Sequence, residues 1–178
     1  KDERSKEERE NFTELINTNS DLLLNLINDI LDLSRIESGR MSFSFQQYSL
    51  NELISTIYQT FQVLMPENVE LRMQIPEKSI SISTDKFRLT QVITNFLSNA
   101  IKFTQKGYIL IGYEYREEGR HVHIFVEDTG IGIPKEKQDA VFNRFTKLDE
   151  FAKGTGLGLS ICKEIAERFD GYIAVESE

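Results

Sequence analysis

Apolar residues in the first forty positions recur at three- and four-residue steps, the spacing of one helix face. The repeat comprises Phe12, Ile16, Leu23, Leu26, Ile30 and Leu33. With Gly39 as a stop signal, the pattern predicts a helix over about residues 8–38, which would be roughly 45 Å long. Such a wide apolar stripe predicts a partner, either a second helix or a second copy of the same helix. A capping helix folded onto its own domain is the alternative.

After Gly39 the apolar period changes repeatedly between two residues and about 3.6 residues. Strands are predicted at 41–45, 69–75, 79–83, 107–116 and 121–127, and from 172 onwards. Helices are predicted at 50–63, at 84–103 with Thr84-Asp85 as the N-cap, in a short stretch after Pro134, and at 157–169. Residues 146–155 have the composition of a mobile loop. Adjacent antiparallel strands with accompanying helices predict an α+β two-layer domain.

The composition narrows the class of protein. The 178 residues are 39% hydrophobic and 28% charged, which is typical of a soluble globular domain. The net charge of −8 gives no electrostatic footprint for nucleic acid, so we expect no nucleic-acid partner. No apolar run approaches the ~20 residues of a membrane span, so we expect a fragment that is not membrane-inserted. Cys162, the single cysteine, lies in an apolar helix pattern and is interpreted as a packing residue.

A polar stripe runs along the predicted 84–103 helix. At 100° per residue the stripe comprises Arg88, Gln91, Asn95, Asn99 and Lys102. Two asparagines four residues apart cost helix propensity, which indicates another need. An amide carbonyl is a hard, neutral oxygen ligand suited to Mg²⁺, and a lysine one turn further on offsets phosphate charge. A plain solvated face is the alternative for the stripe taken alone.

Two glycine-rich turns follow in the sequence. Asp128 ends an apolar strand and precedes Gly130 and Gly132, so its carboxylate could accept the exocyclic amine of adenine beside backbone that approaches closely. The second turn, residues 154–159, carries three glycines at the start of a helix, where backbone N–H groups favour phosphate. Each turn alone could be a plain turn or hinge. In this order with the stripe, they predict an Mg-nucleotide site.

The histidines His121 and His123 share one face of a predicted strand. We interpret both as surface residues, because the sequence offers no further ligands at metal-binding spacing.

Read together, these motifs resemble the catalytic ATP-binding domain of bacterial two-component sensor histidine kinases. NFLSNAIKFT (95–104) resembles the N box, DTGIGI (128–133) the G1 box, VFNRF (141–145) the F box and GTGLGLSI (154–161) the G2 box. LINDILDLSRIESGRM (26–41) is similar to the second helix of the dimerisation and phosphotransfer hairpin. The resemblance implies a Bergerat-type α/β sandwich with a mixed sheet at 41–178, preceded by one long hairpin helix at 1–40.

The resemblance also implies roles for individual residues, with ATP and Mg²⁺ as cofactors. Asn95 would be the metal ligand, and Lys102 and Lys147 would position phosphate as the catalytic residues. Phe142 and Phe145 would anchor a lid over 146–155. The implied ATP-binding set is Asn95, Asn99, Lys102, Asp128, Gly130, Gly132, Ile133, Phe145, Lys147, Gly154, Thr155, Gly156, Leu157, Gly158 and Leu159.

The sequence departs from the family pattern in two places. The H box with its phosphoacceptor histidine is absent, and so is the terminal GxGSxF strand hairpin. We therefore expect this fragment to bind ATP without phosphorylating itself. The resemblance further implies a response regulator receiver domain as partner, a homodimer through the N-terminal helix, and a cytoplasmic location, with a parent that could be an inner-membrane sensor.

Two other functions stay open. Gyrase- and chaperone-type ATPases resemble this fold but usually carry a water-activating Glu one turn before the Mg-binding Asn. That position is Gln91 here, which cannot take a proton at neutral pH and argues against efficient hydrolysis. The third candidate is a non-catalytic, nucleotide-gated dimerisation module.

Overall fold

The computed structural model describes residues 6–116, 121–146 and 155–177. Helix α1 (Lys6–Glu37) confirms the long helix predicted from the N-terminal pattern. Much of its apolar stripe is exposed, with Ile16 61% and Leu23 58% accessible. Towards the C-terminal end, Asp32 is buried, and Leu33 and Ile36 pack against the rest of the chain. The helix therefore docks by its last turns and leaves the apolar face of its earlier turns accessible.

The remaining elements follow in an order close to the predicted one. The strands are β1 (Gln46–Ser49), β2 (Val69–Gln74), β3 (Ser81–Thr84), β4 (Gly107–Arg116) and β5 (His121–Asp128). The helices are α2 (Leu50–Gln62), α3 (Lys86–Phe103), α4 (Lys135–Gln138) and α5 (Gly158–Arg168). Among the described residues, β2, β4 and β5 form one sheet in the order β2-β4-β5, in which β2 is parallel and β5 antiparallel to β4. Strands β1 and β3 form a separate antiparallel pair.

Helix α3 begins where the sequence predicts. The Asp85 side chain accepts a hydrogen bond from the backbone N–H of Arg88, so Asp85 is a true N-cap. Its other carboxylate oxygen accepts the backbone N–H of Ser44 at 2.8 Å. One buried carboxylate thus starts the helix and also fixes the segment that enters β1.

Two hydrophobic clusters hold the layers together. The first lies between helices α2 and α3 and the β2-β4-β5 sheet, and its fully buried members include Ile54, Ile93, Leu97 and Ile111. The second lies between α3 and α5 and comprises Met41, Val92, Leu157, Ile161, Cys162 and Ile165, with Leu33 and Ile36 of α1 packed against it. This two-layer arrangement with a mixed sheet confirms the predicted α+β class.

Two predicted strands are wrong. Residues 41–45 form no strand, because Phe43 and Phe45 stack on one another and pack edge-on against Phe169, and the strand begins only at Gln46. Residues 172–175 also lack strand pairing; nearby, Ser177 bonds the backbone N–H of Ile133 and the side chain of Gln138. In both segments side chains pack against distant parts of the chain without a backbone ladder, Phe43 and Phe45 against Phe169 and Ile173 against the second cluster.

The structure confirms Cys162 as a core residue and His121 and His123 as exposed strand residues. Burial, reinforced by the charge of Asp29, raises the pKa of Cys162 to about 12. Within the described part of the chain, no helix is long and apolar enough to cross a membrane.

Candidate functional site

The polar stripe of α3 divides between two partners. Its first turns face α1, where Arg88 Nη1 and Gln91 Nε2 both donate to Asp32 Oδ2, at 2.9 and 2.8 Å. Arg88 Nη1 also donates to Gln91 Oε1 at 2.8 Å. The first part of the stripe therefore docks a helix, whereas Asn95, Asn99 and Lys102, further along α3, line the cleft described below.

The two asparagines are hydrogen-bonded to one another. Asn99 Nδ2 donates to Asn95 Oδ1 at 3.1 Å, which orients the Asn95 amide. A carbonyl oxygen has two lone pairs, so Asn95 Oδ1 keeps capacity for a second interaction. The Asn95 amide lies directly against Gly158 at the start of α5, where an added Cβ would be 2.2 Å from Asn95 Nδ2. A side chain at position 158 would therefore displace the Asn95 amide at this contact between α3 and the second glycine-rich turn.

The turn after β5 is organised by Asp128. Its Oδ1 accepts the backbone N–H of Gly130 at 2.8 Å and the Thr104 hydroxyl at 3.4 Å. Gly132, with a φ of +68°, continues the turn to Ile133. These bonds hold the Asp128 carboxylate at the end of β5 beside the C-terminal end of α3, where a ligand amine could reach it.

The second glycine-rich turn lies across the cleft. Gly156 takes a φ of +72°, and its carbonyl accepts the backbone N–H of Phe145 at 2.8 Å. Thr155 Oγ1 accepts the backbone N–H of Leu157 at 3.2 Å and donates to Asp29 Oδ2 of α1 at 2.7 Å. The turn is thus tied both to the Phe145 segment and to helix α1.

Most of the implied ATP-binding residues line one continuous open cleft between α3, the Asp128 turn and the start of α5. The lining includes Asn95, Asn99, Lys102, Asp128, Gly130, Gly132, Ile133, Thr155, Gly156, Gly158 and Leu159.

Four of the residues expected in the site are not among the described lining of the cleft. Leu157 is fully buried in the second core cluster, so its backbone rather than its side chain serves the turn. The Phe145 side chain is 67% exposed, in a left-handed conformation with a φ of 60°. Lys147 and Gly154 lie outside the described residues, as does most of the predicted lid. Phe142 does line the cleft.

The donor chemistry fits magnesium better than a transition metal. Among the described residues, no cluster of three or more His, Cys, Asp or Glu side chains could hold a metal. The amide oxygen of Asn95 is a hard ligand of the kind that Mg²⁺ accepts while it keeps waters and phosphate oxygens as its other ligands. Asn95 could therefore contribute one ligand to an ion brought by a nucleotide.

Two acidic residues of this site were missed by the sequence analysis. Asp29 and Asp32 lie one turn apart within the apolar half of α1, and each contacts the ATP-binding elements. Two carboxylates at i, i+3 amid an apolar stripe are unusual, and that was the available signal. Burial, reinforced by Asp32 and offset in part by the Thr155 hydrogen bond, raises the pKa of Asp29 above its usual 3.8.

An α+β layer with a paired-asparagine helix, an acidic turn and a glycine-rich turn around one cleft defines a nucleotide-binding domain. Residues 84–178 match the family described as histidine kinase-, DNA gyrase B- and HSP90-like ATPase, and the chain belongs to that family.

Sensor histidine kinases are among the relatives that match this chain. RcsC of Escherichia coli strain K12 is 37% identical over 174 residues, which cover 92% of this chain and 18% of that protein. The crystal structure of full-length ShkA in complex with AMPPNP is 27% identical, with a TM-score of 0.83 over 96% of this chain and 36% of that chain. The complex of histidine kinase ThkA with response regulator TrrA matches with a TM-score of 0.75 and 26% identity, over 98% of this chain and 49% of ThkA. The chain thus spans only a part of the length of these kinases.

Proposed function

We propose that the chain is the ATP-binding catalytic region of a bacterial two-component sensor histidine kinase. It would hold ATP so that the γ-phosphoryl is presented to a histidine on another helix. The observation that carries the proposal is the close approach of Asn95 to Gly158, where an added Cβ would lie 2.2 Å from Asn95 Nδ2. The proposed metal ligand therefore lies against the turn at residues 155–159, the phosphate turn, which would bind the phosphates. The Asp128 carboxylate lies on the same cleft, where it would read adenine.

The residues divide the substrate among them. Asp128 would accept the adenine amine, with Gly130, Gly132 and Ile133 beside the ring. Asn95 would contribute a ligand to Mg²⁺, which when bound neutralises phosphate charge. Asn99, Lys102 and the 155–159 turn would bind the phosphates, as would Lys147 and Gly154 by the resemblance alone. The protein would act by positioning and charge neutralisation, without a covalent intermediate.

We assign residues 1–40 to a dimerisation and phosphotransfer hairpin and residues 41–178 to the ATP-binding domain. The exposed apolar stripe of α1 supports a homodimer, because side chains such as Leu15, Ile16 and Leu23 remain 56–61% accessible. The match to a kinase bound to its response regulator supports a receiver domain as partner. A cytoplasmic location follows from the same assignment.

The hydrolase alternative is disfavoured by the surroundings of Gln91. Its amide is held between Arg88 and Asp32, so a water-activating role at this position would require the docked helix to move. The neutral side chain also cannot act as a base.

Phosphoryl transfer provides the test. A version of the chain preceded by a helix that carries a histidine is incubated with γ-labelled ATP and Mg²⁺, and acid-labile label on the protein is measured. We expect label in this protein, loss of label in Asn95→Ala, and no loss in Asn17→Ala, an amide deletion on the exposed surface of α1. ATP binding without any label would leave the nucleotide-gated dimerisation module as the function.

A further inference from the structure

Helix α1 contacts the phosphate turn through one carboxylate. Asp29 Oδ2 accepts the Thr155 hydroxyl at 2.7 Å across 126 residues of sequence. Thr155 is the first described residue of the turn that would hold the phosphates, and it lines the cleft. The contact therefore joins a residue outside the nucleotide-binding family match to one inside it.

This contact uses the donor that a phosphate would need. A threonine hydroxyl can donate one hydrogen bond, and Thr155 donates it to Asp29. The Thr155 oxygen in turn accepts the backbone N–H of Leu157 at 3.2 Å, so a second donor of the turn is engaged. A phosphate oxygen could not accept either N–H or O–H without breaking one of these bonds.

The charge of Asp29 acts in the same direction. Asp29 is partly buried one turn from Asp32, and its carboxylate would lie close to an incoming polyphosphate. Like charges at short range in a partly desolvated site repel one another. Arg88 and Gln91 are already engaged with Asp32, so they do not relieve Asp29.

We propose that Asp29 is a positioning residue that competes with the nucleotide phosphates for Thr155, so that the docked α1 helix lowers ATP affinity. The inference rests on the proposed function, since it concerns the same phosphate turn. Competition for Thr155 makes the docking of α1 and the binding of ATP mutually antagonistic. By thermodynamic linkage, ATP must weaken the Asp29–Thr155 contact by the same factor.

The test measures ATP affinity by calorimetry in Mg²⁺ for the chain, Asp29→Asn, and Asp21→Asn. Asp21 is exposed on the same helix, so its variant makes the same charge change away from the turn. We expect Asp29→Asn to tighten ATP binding roughly three- to tenfold and Asp21→Asn to change it less than about twofold. Asp29→Ala serves as the second variant if Asp29→Asn loses the helical circular dichroism signal.

A double-mutant cycle separates positioning from a general charge effect. In a Thr155→Val background, where the hydroxyl is gone, only the charge repulsion remains, so Asp29→Asn should tighten ATP binding clearly less than it does in the unmodified chain. An undiminished effect in that background, or equal affinities of Asp29→Asn and the unmodified chain, would overturn the inference while leaving the proposed function intact. If neither the unmodified chain nor any variant binds ATP, the proposed function is wrong, and the inference that rests on it is wrong as well.

Discussion

Arg88 of α3 and Asp32 of α1 form an ion pair at 2.9 Å between Nη1 and Oδ2, with side chains that are 9% and 10% exposed. Gln91 donates to the same carboxylate oxygen, so the pair is hydrogen-bonded as well as charged. Buried pairs add less stability than their Coulomb attraction suggests, because both ions lose water. Their main effect here is to fix one angle and register between α1 and the ATP-binding layer.

Removal of one member of this pair should be costly. In Asp32→Ala the Arg88 guanidinium is left buried without its counter-ion, and we expect the free energy of unfolding to fall by about 3–5 kcal/mol. Urea denaturation followed by circular dichroism measures the change. Asp21→Ala, on the exposed part of α1, should stay within about 0.5 kcal/mol of the unmodified chain. A loss in Asp32→Ala no larger than in this control would show that the pair is solvated.

Gln91→Glu should not create a hydrolase. A glutamate at this position loses the N–H that Gln91 donates to Asp32 and brings two carboxylates together, while Arg88 still holds the new side chain. We expect a loss of stability of about 1–2 kcal/mol and no rise in phosphate release from ATP. Combination with Asp32→Asn restores a carboxylate–amide pair and should recover the stability. Faster phosphate release by Gln91→Glu would support the ATPase alternative.

Local patterns predicted most of the elements and the nucleotide-facing residues. The cap at Asp85, the bounds of α3 and the strand pair β4–β5 all follow from short-range propensity and alternation. The position of Asn95 beside Gly158 was implied by motif order, because both residues belong to motifs that share one ligand.

Long-range packing explains what the patterns could not predict. The alternation of Phe43 and Phe45 is typical of a strand. In the structure, however, both rings pack edge-on against Phe169, which is more than a hundred residues away in the sequence. Likewise, the sequence pattern assigns Arg88 to a ligand-binding stripe, whereas in the structure Arg88 donates to Asp32 of α1, which is 56 residues away in the sequence. Periodicity carries no information about such partners.

Gly158→Ala should damage the site without unfolding the chain. The added Cβ would collide with the Asn95 amide, which must then leave its orientation. We expect ATP affinity in Mg²⁺ to fall at least about tenfold, measured by calorimetry. Gly171→Ala is the matched control, because its Cβ would meet nothing closer than a backbone oxygen at 3.4 Å. Unchanged ATP affinity in Gly158→Ala would show that this turn is not part of the ATP site.

Asp29 should give stability a distinctive pH dependence. Its pKa is raised in the folded protein by burial and by Asp32, so the folded state binds the proton more tightly than the unfolded chain. Acidification from neutral pH towards 3.8 therefore favours folding through this group, and the contribution is lost as pH rises through the raised folded pKa. The Cys162 thiol, which also feels the charge of Asp29, does not change charge in this range because its pKa is about 12.

The measurement is the stability difference between the unmodified chain and Asp29→Asn at neutral pH and at about pH 4.5. Relative to Asp29→Asn, the unmodified chain should be more stable at the lower pH than at the higher one. A difference that is independent of pH, or that moves in the opposite direction, would contradict the assignment.

The central claim is that one cleft reads adenine with Asp128 and holds the phosphates of a magnesium nucleotide. Calorimetric titration of the purified chain with ATP and with GTP, in the presence and absence of Mg²⁺, tests it most directly. The account predicts saturable ATP binding below about 1 mM in Mg²⁺, weaker binding without the ion, and GTP at least about tenfold weaker because its O6 is an acceptor facing a carboxylate. Absence of ATP binding at millimolar concentration with Mg²⁺ present, or equal affinity for GTP, would contradict it.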